Sequence, residues 1–232
     1  MAYQTRQRDP LLDHQTQAAL MRLGQQAVGF ALLGLAAALA ALLMSYAPDD
    51  PNFMAATDAV PQNLLGRTGA SVAAILMMIM GYGALLLPVV ALAWGLRFLM
   101  QLGHERVLGR ALFIPIAVAL ASIYAASFTP PEAWTHSFGM GGLFGDTILG
   151  AVLNALPMAP QTGLKLLSAL AFLTGVMLTL YVLGVSRAEF RWGIRFLVLG
   201  LLSVIAIVSG GLRRVGQSAG QAATHMAARR TA

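Results

Sequence analysis

Long apolar runs separated by short polar segments set the pattern of this chain. Five uncharged runs approach or reach the ~20 residues that a helix rising 1.5 Å per residue needs to cross about 30 Å of hydrocarbon. The pattern predicts an all-α, polytopic integral membrane helical bundle with four transmembrane helices and a fifth apolar juxtamembrane or membrane-embedded helix. The spans are expected at residues 27–46, 72–96, 111–128 and 166–185, and the fifth helix at residues 196–212.

Charged residues fall almost entirely between these runs, and connections rich in arginine alternate with connections that hold acidic residues. The N-terminal segment and residues 97–110 are rich in arginine, whereas residues 48–68 and 129–163 hold most of the acidic side chains. By the positive-inside rule, the N-terminus and the 97–110 turn are cytoplasmic, and the two acidic connections face the other side. The predicted organisation is a cytoplasmic N-terminal segment at 1–26, a four-span membrane domain at 27–186 and a basic cytoplasmic tail at 187–232.

The fifth run carries a conflict between its two flanks. Arg195 precedes it, and Arg213 and Arg214 follow it, so both flanks favour the cytoplasm while a crossing would satisfy one of them. We therefore expect an interfacial or shallow embedded helix with a cytoplasmic C-terminus. A fifth crossing that leaves the C-terminus outside stays open as the alternative.

Composition agrees with membrane residence. The 232 residues are 58% hydrophobic and 10% charged, and the mean hydropathy is +0.72. The net charge of +6 is typical of arginines that set topology and contact anionic lipid, so we expect the lipid bilayer as a partner and no direct nucleic-acid contact. With no cysteine, disulfides and thiolate chemistry are excluded.

Several residues inside or beside the spans have predicted structural roles. Pro88 removes one helical hydrogen bond and should kink the second span, with Gly81 and Gly83 adding flexibility. Pro115 falls in the first turns of the third span, where proline is tolerated. Tyr46 and Trp94 fall near span boundaries, as aromatic anchors do.

Residues that could carry chemistry are scarce. The four predicted spans hold no ionisable group, which disfavours a transporter. The four histidines, His14, His104, His136 and His225, all fall in connections or tails and are expected to be solvated. Lys165 is the only lysine and no nucleotide-binding G-x-x-x-x-G-K-[ST] motif occurs. We therefore predict no catalytic, cofactor-binding or metal-binding residue, no cofactor and no enzyme activity for this chain.

Two polar strings invite a functional interpretation that their surroundings weaken. In "SYAPDDPNF", residues 45–53, Asp49 and Asp50 lack neighbours that would complete a metal cage. The prolines instead predict a stop after Tyr46 and a restart, with Asp50 capping a short helix at 52–57 and both aspartates in water. The string "GMGGLFGDTILG", residues 139–150, predicts a turn into a short helix with Asp146 near its N-terminus.

The string "SYAPDDPNF" closely resembles the stretch that follows the first span of the FtsK/SpoIIIE DNA translocases. The resemblance continues in "NLLGRTGA", at residues 63–70, in the glycine- and proline-containing span after it, and in "GGLFGDTILGAVLNAL" at residues 141–156. Together these motifs cover most of residues 25–195. Their order, spacing and number of spans all agree with that family.

The resemblance implies an N-terminal membrane-anchoring domain of a cell-division translocase. In that family, four spans tether a hexameric motor that moves chromosomal DNA at the septum, and the membrane part helps to recruit division proteins. We therefore expect division proteins as partners, a homo-oligomer if a hexameric motor is attached, and a multi-pass inner-membrane location at the septum. No counterpart of the motor occurs in these residues, which predicts either a fragment of a longer product or a protein keeping only the anchor.

A different class of function stays open beside this one. A non-catalytic auxiliary subunit of another inner-membrane complex, such as a photosynthetic or respiratory assembly, would also consist of apolar spans without catalytic groups. Co-purification with division proteins would favour the anchor, and a stoichiometric redox complex would favour the subunit.

Overall fold

The computed structural model describes residues 13–52, 58–102, 107–132, 134–192, 194, 195 and 199. The chain divides into one unit at Met1–Gly184 and a second at Val185–Ala232. In the described part of the first unit the regular structure is helical throughout. Its helices are α1 (His14–Met44), α2 (Gly66–Met80), a 3-10 segment (Gly81–Leu85), α3 (Leu86–Leu99), α4 (Val107–Ala111), α5 (Ile114–Ala126), α6 (Gly142–Ala155) and α7 (Pro160–Val182).

Four stretches of helix are long and apolar enough to cross a membrane. They are Gln15–Met44, Gly66–Leu99, Val107–Ala126 and Pro160–Val182, and one predicted span falls largely on each. The all-α, four-span fold class is therefore confirmed. The predicted fifth helix at 196–212 lies outside the described residues except for Leu199.

Three helix pairs make the most extensive contacts in the first unit. Helix α1 packs along α3, and α5 packs against both α7 and α6. Small residues allow the closest approach of the first pair, because a Cβ added at Gly29 would lie 3.0 Å from the Gly95 carbonyl oxygen. Such contacts replace water-driven association in a bilayer, where close van der Waals packing holds helices together.

The second span breaks at a different residue from the one predicted. The interruption lies at Gly81, which has a φ of +54° and begins the 3-10 segment, whereas Pro88 lies in the first turn of α3. A positive φ costs glycine little, and proline is tolerated in the first turn of an α-helix. The Tyr82 N–H that the break releases donates to the Met140 carbonyl at 2.9 Å.

The other predicted proline role is confirmed, since Pro115 lies at the start of α5.

In the second unit, residues 187–192 are helical. Ser186 and Glu189 form a reciprocal capping box there. The Glu189 N–H donates to Ser186 Oγ at 3.2 Å, and the Ser186 N–H donates to Glu189 Oε2 at 2.6 Å.

Candidate functional site

The two adjacent aspartates after α1 have opposite environments. Asp49 is exposed, but Asp50 is only 2% exposed. One carboxylate oxygen of Asp50 accepts the Gln62 N–H at 2.7 Å, and the other accepts the Asn63 N–H at 2.9 Å. The expectation that both side chains stay in water is thus wrong for Asp50, because its carboxylate satisfies backbone donors that the fold buries. Residues 53–57 lie outside the described residues, so the short helix predicted there stays a prediction.

Asn63 completes this arrangement from the other side. It is 4% exposed, and its amide donates to the Leu42 carbonyl at 2.8 Å and to the Ser45 carbonyl at 3.4 Å. The Ser45 hydroxyl in turn accepts the Leu64 N–H at 3.0 Å. Carbonyls at the end of a helix have no intrahelical donor, so Asn63 caps α1 while Asp50 orders the chain entering α2. We call Ser45, Asp50 and Asn63 the polar junction.

An aromatic cluster of Tyr46, Tyr82, Trp134, His136 and Phe138 lies beside the polar junction. His136 stacks on Tyr46 with ring centroids 5.5 Å apart and on Phe138 at 4.7 Å, and it meets Trp134 edge-on at 4.7 Å. Tyr82 reaches Trp134 from the 3-10 segment at 5.4 Å. The Trp134 indole donates to the Phe138 carbonyl at 2.6 Å, which closes a turn within the loop before α6.

This cluster borders a cavity of about 340 Å³, which we call the aromatic cavity. Its volume is at the lower end of the range of about 300–1,000 Å³ found for small-molecule sites. Four rings and several aliphatic side chains line it, and the aliphatic Met44 is 83% exposed. The lining includes Tyr46, Tyr82, Trp134, His136, Met44 and Leu85.

Burial and two aspartates shift the pKa values of His136 and Tyr46 in the cavity wall. Burial lowers the pKa of His136, with the negative charge of Asp49 acting in the opposite direction. Burial also raises the pKa of Tyr46, and Asp49 and Asp50 raise it further. At neutral pH both rings are therefore uncharged.

The opposite end of the unit is held by cations and an indole. Trp94, predicted as an interfacial anchor, is only 4% exposed, and its Nε1–H donates to the Val182 carbonyl at 2.9 Å. The anchor interpretation is therefore wrong. Arg97 Nε donates to the Leu183 carbonyl at 2.8 Å, and the Arg110 guanidinium carbon lies 5.5 Å from the Tyr181 ring centroid. These donors complement the partial negative charge at the C-terminus of α7.

The remaining predicted residues fall as follows. Asp146 lies in the second turn of α6 and accepts the Gly139 N–H at 2.5 Å, so the predicted turn into a helix is confirmed. His136 is half-buried among rings and is not the solvated residue expected. His14 begins α1, whereas His104 and His225 lie outside the described residues. The described residues bring no three His, Asp or Glu side chains together in a group that could hold a metal ion.

The pattern of the sequence predicts no contact for the Asn63 side chain. The available signal was an amide directly after a proline-bounded acidic segment, which is a frequent source of side-chain to backbone hydrogen bonds. The aromatic cluster offered a weaker signal, since Trp134, His136 and Phe138 alternate along a loop.

The four apolar helices and the ordered polar connections define a multi-pass α-helical membrane protein. Residues 21–192 match the family model described as the 4TM region of DNA translocase FtsK/SpoIIIE. The chain therefore belongs to the FtsK/SpoIIIE family. With its four apolar helices, this membership places it in the bacterial inner membrane.

Curated relatives agree with this assignment. The DNA translocase FtsK of Azospirillum brasilense is 29% identical over 227 residues, which cover 97% of this chain and 36% of the relative. That of Rhizobium meliloti (strain 1021) is 36% identical over 52% of this chain and 14% of its own length. That of Mesorhizobium japonicum is 30% identical over 74% of this chain and 19% of its own length. The chain thus spans about a third or less of these relatives, and no solved structure matches it significantly.

Proposed function

We propose that this chain is the membrane-anchoring and partner-recruiting domain of a cell-division DNA translocase that acts in chromosome segregation at the septum. The observation that carries the proposal is the family match over residues 21–192, which coincides with the four apolar helices. Anchoring in the bilayer, without catalysis, is therefore the contribution that we assign to these residues.

The orientation that we propose puts the N-terminus and the α3–α4 connection in the cytoplasm. Arg97 and Arg110 lie at that end, whereas Asp49, Asp50 and Glu132 lie at the end where α1 stops. Arginine near span ends favours the cytoplasmic side. Alkaline phosphatase fused after residue 140 should be active and a fusion after residue 102 inactive, and the reverse pattern would overturn this orientation.

Partner recruitment is assigned to the connections at the acidic end. The polar junction binds the N–H groups of residues 62–64, and two large apolar side chains in or beside that segment, Val60 and Leu64, are strongly exposed. A polar loop that holds apolar side chains out of the packed bundle offers contact area to another protein. We propose that division proteins bind this segment, and that the domain forms a homo-oligomer where a hexameric motor is attached.

The test is localisation of the full chain, fused to a fluorescent protein, in dividing Azospirillum brasilense cells. The proposal expects enrichment at the septum and loss of that enrichment in a Val60→Ser/Leu64→Ser double variant. A Val89→Ser/Leu92→Ser variant is the control, because it also changes two exposed apolar residues but on α3. Uniform membrane fluorescence of the unaltered chain, or its purification in a stoichiometric redox complex, would overturn the division role.

A further inference from the structure

The aromatic cavity combines features that neither anchoring nor recruitment uses. Its wall presents the rings of Tyr46, Tyr82, Trp134 and His136, and it includes Pro48, which directly precedes the exposed Asp49. Aromatic faces carry negative charge density and attract organic cations, most strongly where water is partly excluded. A ring-lined cavity beside an exposed carboxylate is complementary to an alkylammonium group.

The position of the cavity identifies the source of that ammonium group. Tyr46 follows α1 by two residues, and Leu43, Met44, Met77 and Leu85 extend the lining onto apolar helices. Met44 is also strongly exposed, so an apolar side chain borders the opening. A ligand with a cationic head and an acyl tail would satisfy both parts of the wall, whereas a soluble amine would leave the aliphatic part unused.

We propose that the aromatic cavity binds the ammonium headgroup of a zwitterionic phospholipid, with Tyr46, Tyr82 and Trp134 facing the cation and Asp49 supplying the counter-charge. The acyl chain runs along the apolar side chains at the end of α1 and α2. This site depends on membrane residence and not on the division role, so its failure and that of the septal localisation are separate results.

The experiment measures lipid retention on the purified full chain by native mass spectrometry during titration with lysophosphatidylcholine or lysophosphatidylglycerol of the same acyl length. The proposal expects binding at least about fivefold tighter for the choline lipid, which is the factor that a cation–π site contributes. Equal affinity for the two lipids would overturn it. Choline chloride that displaces the lipid at equal concentration would also overturn it, since the ligand would then be a soluble amine.

Matched variants test the named groups. Tyr82→Leu removes a ring that is 40% exposed, and Tyr82→Phe keeps the ring. Asp49→Asn removes the exposed carboxylate, and Asp58→Asn removes another exposed carboxylate from the following connection. Tyr82→Leu and Asp49→Asn should each reduce the choline preference about threefold or more, and the two controls should leave it unchanged. Unchanged preference in Tyr82→Leu and Asp49→Asn, or an equal loss in the controls, would contradict the assignment.

Discussion

At the two ends of the first unit, different side chains bind the backbone groups that have no partner within a helix. At the Asp50 end, a carboxylate and an amide satisfy backbone groups of the long connection between α1 and α2. At the Arg97 end, an indole and a guanidinium donate to the last carbonyls of α7. Backbone groups that leave a helix near a bilayer need partners, because lipid supplies none. A carboxylate and a neutral amide serve one end, and a guanidinium and an indole serve the other.

The difference also follows the charge asymmetry of the sequence. Guanidinium caps suit a C-terminal helix end, where the helix dipole is negative, and arginine is favoured on the cytoplasmic side. A carboxylate can bind two N–H groups at once, so Asp50 orders a loop rather than a helix end. Arg97, one of the arginines that carry the topological signal, thus also holds the C-terminal end of α7 in place.

The largest effect is expected from removing the carboxylate of Asp50. Asp50→Ala leaves the buried Asn63 N–H and the partly buried Gln62 N–H without their acceptor. The loss should be about 3 kcal/mol, or a fall of roughly 10 °C in the melting temperature of the detergent-solubilised protein. Tryptophan fluorescence during heating measures it.

Asp49→Ala is the matched control, since the neighbouring side chain is exposed. Its melting temperature should change by less than about 2 °C, in line with exposed positions generally. If the two alanine variants melt alike, then Asp50 does not hold the connection and the contrast between the two ends fails.

The parts of this fold that sequence reasoning predicted depend on neighbouring residues. Hydropathy over ~20 residues identifies the four spans, and local turn chemistry identifies the start of α5 at Pro115 and the turn before α6. The missed features depend on partners distant along the chain. Asp50 is buried by residues 12 and 13 positions later, and Trp94 meets a carbonyl 88 positions later. A single sequence does not encode those pairings in any local pattern.

Gly81 was recognised as flexible but not as the break itself. Its positive φ is set by contact with the loop before α6, where Tyr82 donates to Met140, so the deciding partner again comes from another part of the chain. The aromatic cavity likewise depends on residues that are distant from one another along the chain. Two connections and the 3-10 segment, which are separate in sequence, supply its rings, and none of them shows the cavity alone.

A smaller loss of stability is expected when the indole N–H donor at either end of the unit is removed. Trp94 donates to the Val182 carbonyl, which belongs to a fully buried residue, whereas Trp134 donates to the half-exposed Phe138. Phenylalanine in place of either residue keeps a ring and removes the donor. Trp94→Phe should cost about 1 kcal/mol, or roughly 3 °C, because the buried carbonyl stays unpaired.

Trp134→Phe should cost less, since water can reach the Phe138 carbonyl once the indole N–H is gone. The same melting experiment measures both variants. An equal or larger loss at Trp134 would show that the Asp50 end is as dry as the Arg97 end, which would erase the proposed difference in solvent access.

The smallest expected effect is a pH dependence of stability caused by His136, which lies at the Asp50 end. Burial lowers the pKa of His136 below its ordinary value of 6.5, so the unfolded chain binds this proton more readily than the folded one. Its contribution to stability is complete above about pH 6.5 and is lost as the pH falls through the interval down to the folded pKa. Between pH 7.5 and 5 the unaltered protein should lose about 1 °C more than His136→Phe, which keeps a ring and does not titrate. Identical pH profiles would mean that the histidine is as hydrated in the folded protein as in the unfolded chain, and the ring stack would then not seal this side of the cavity.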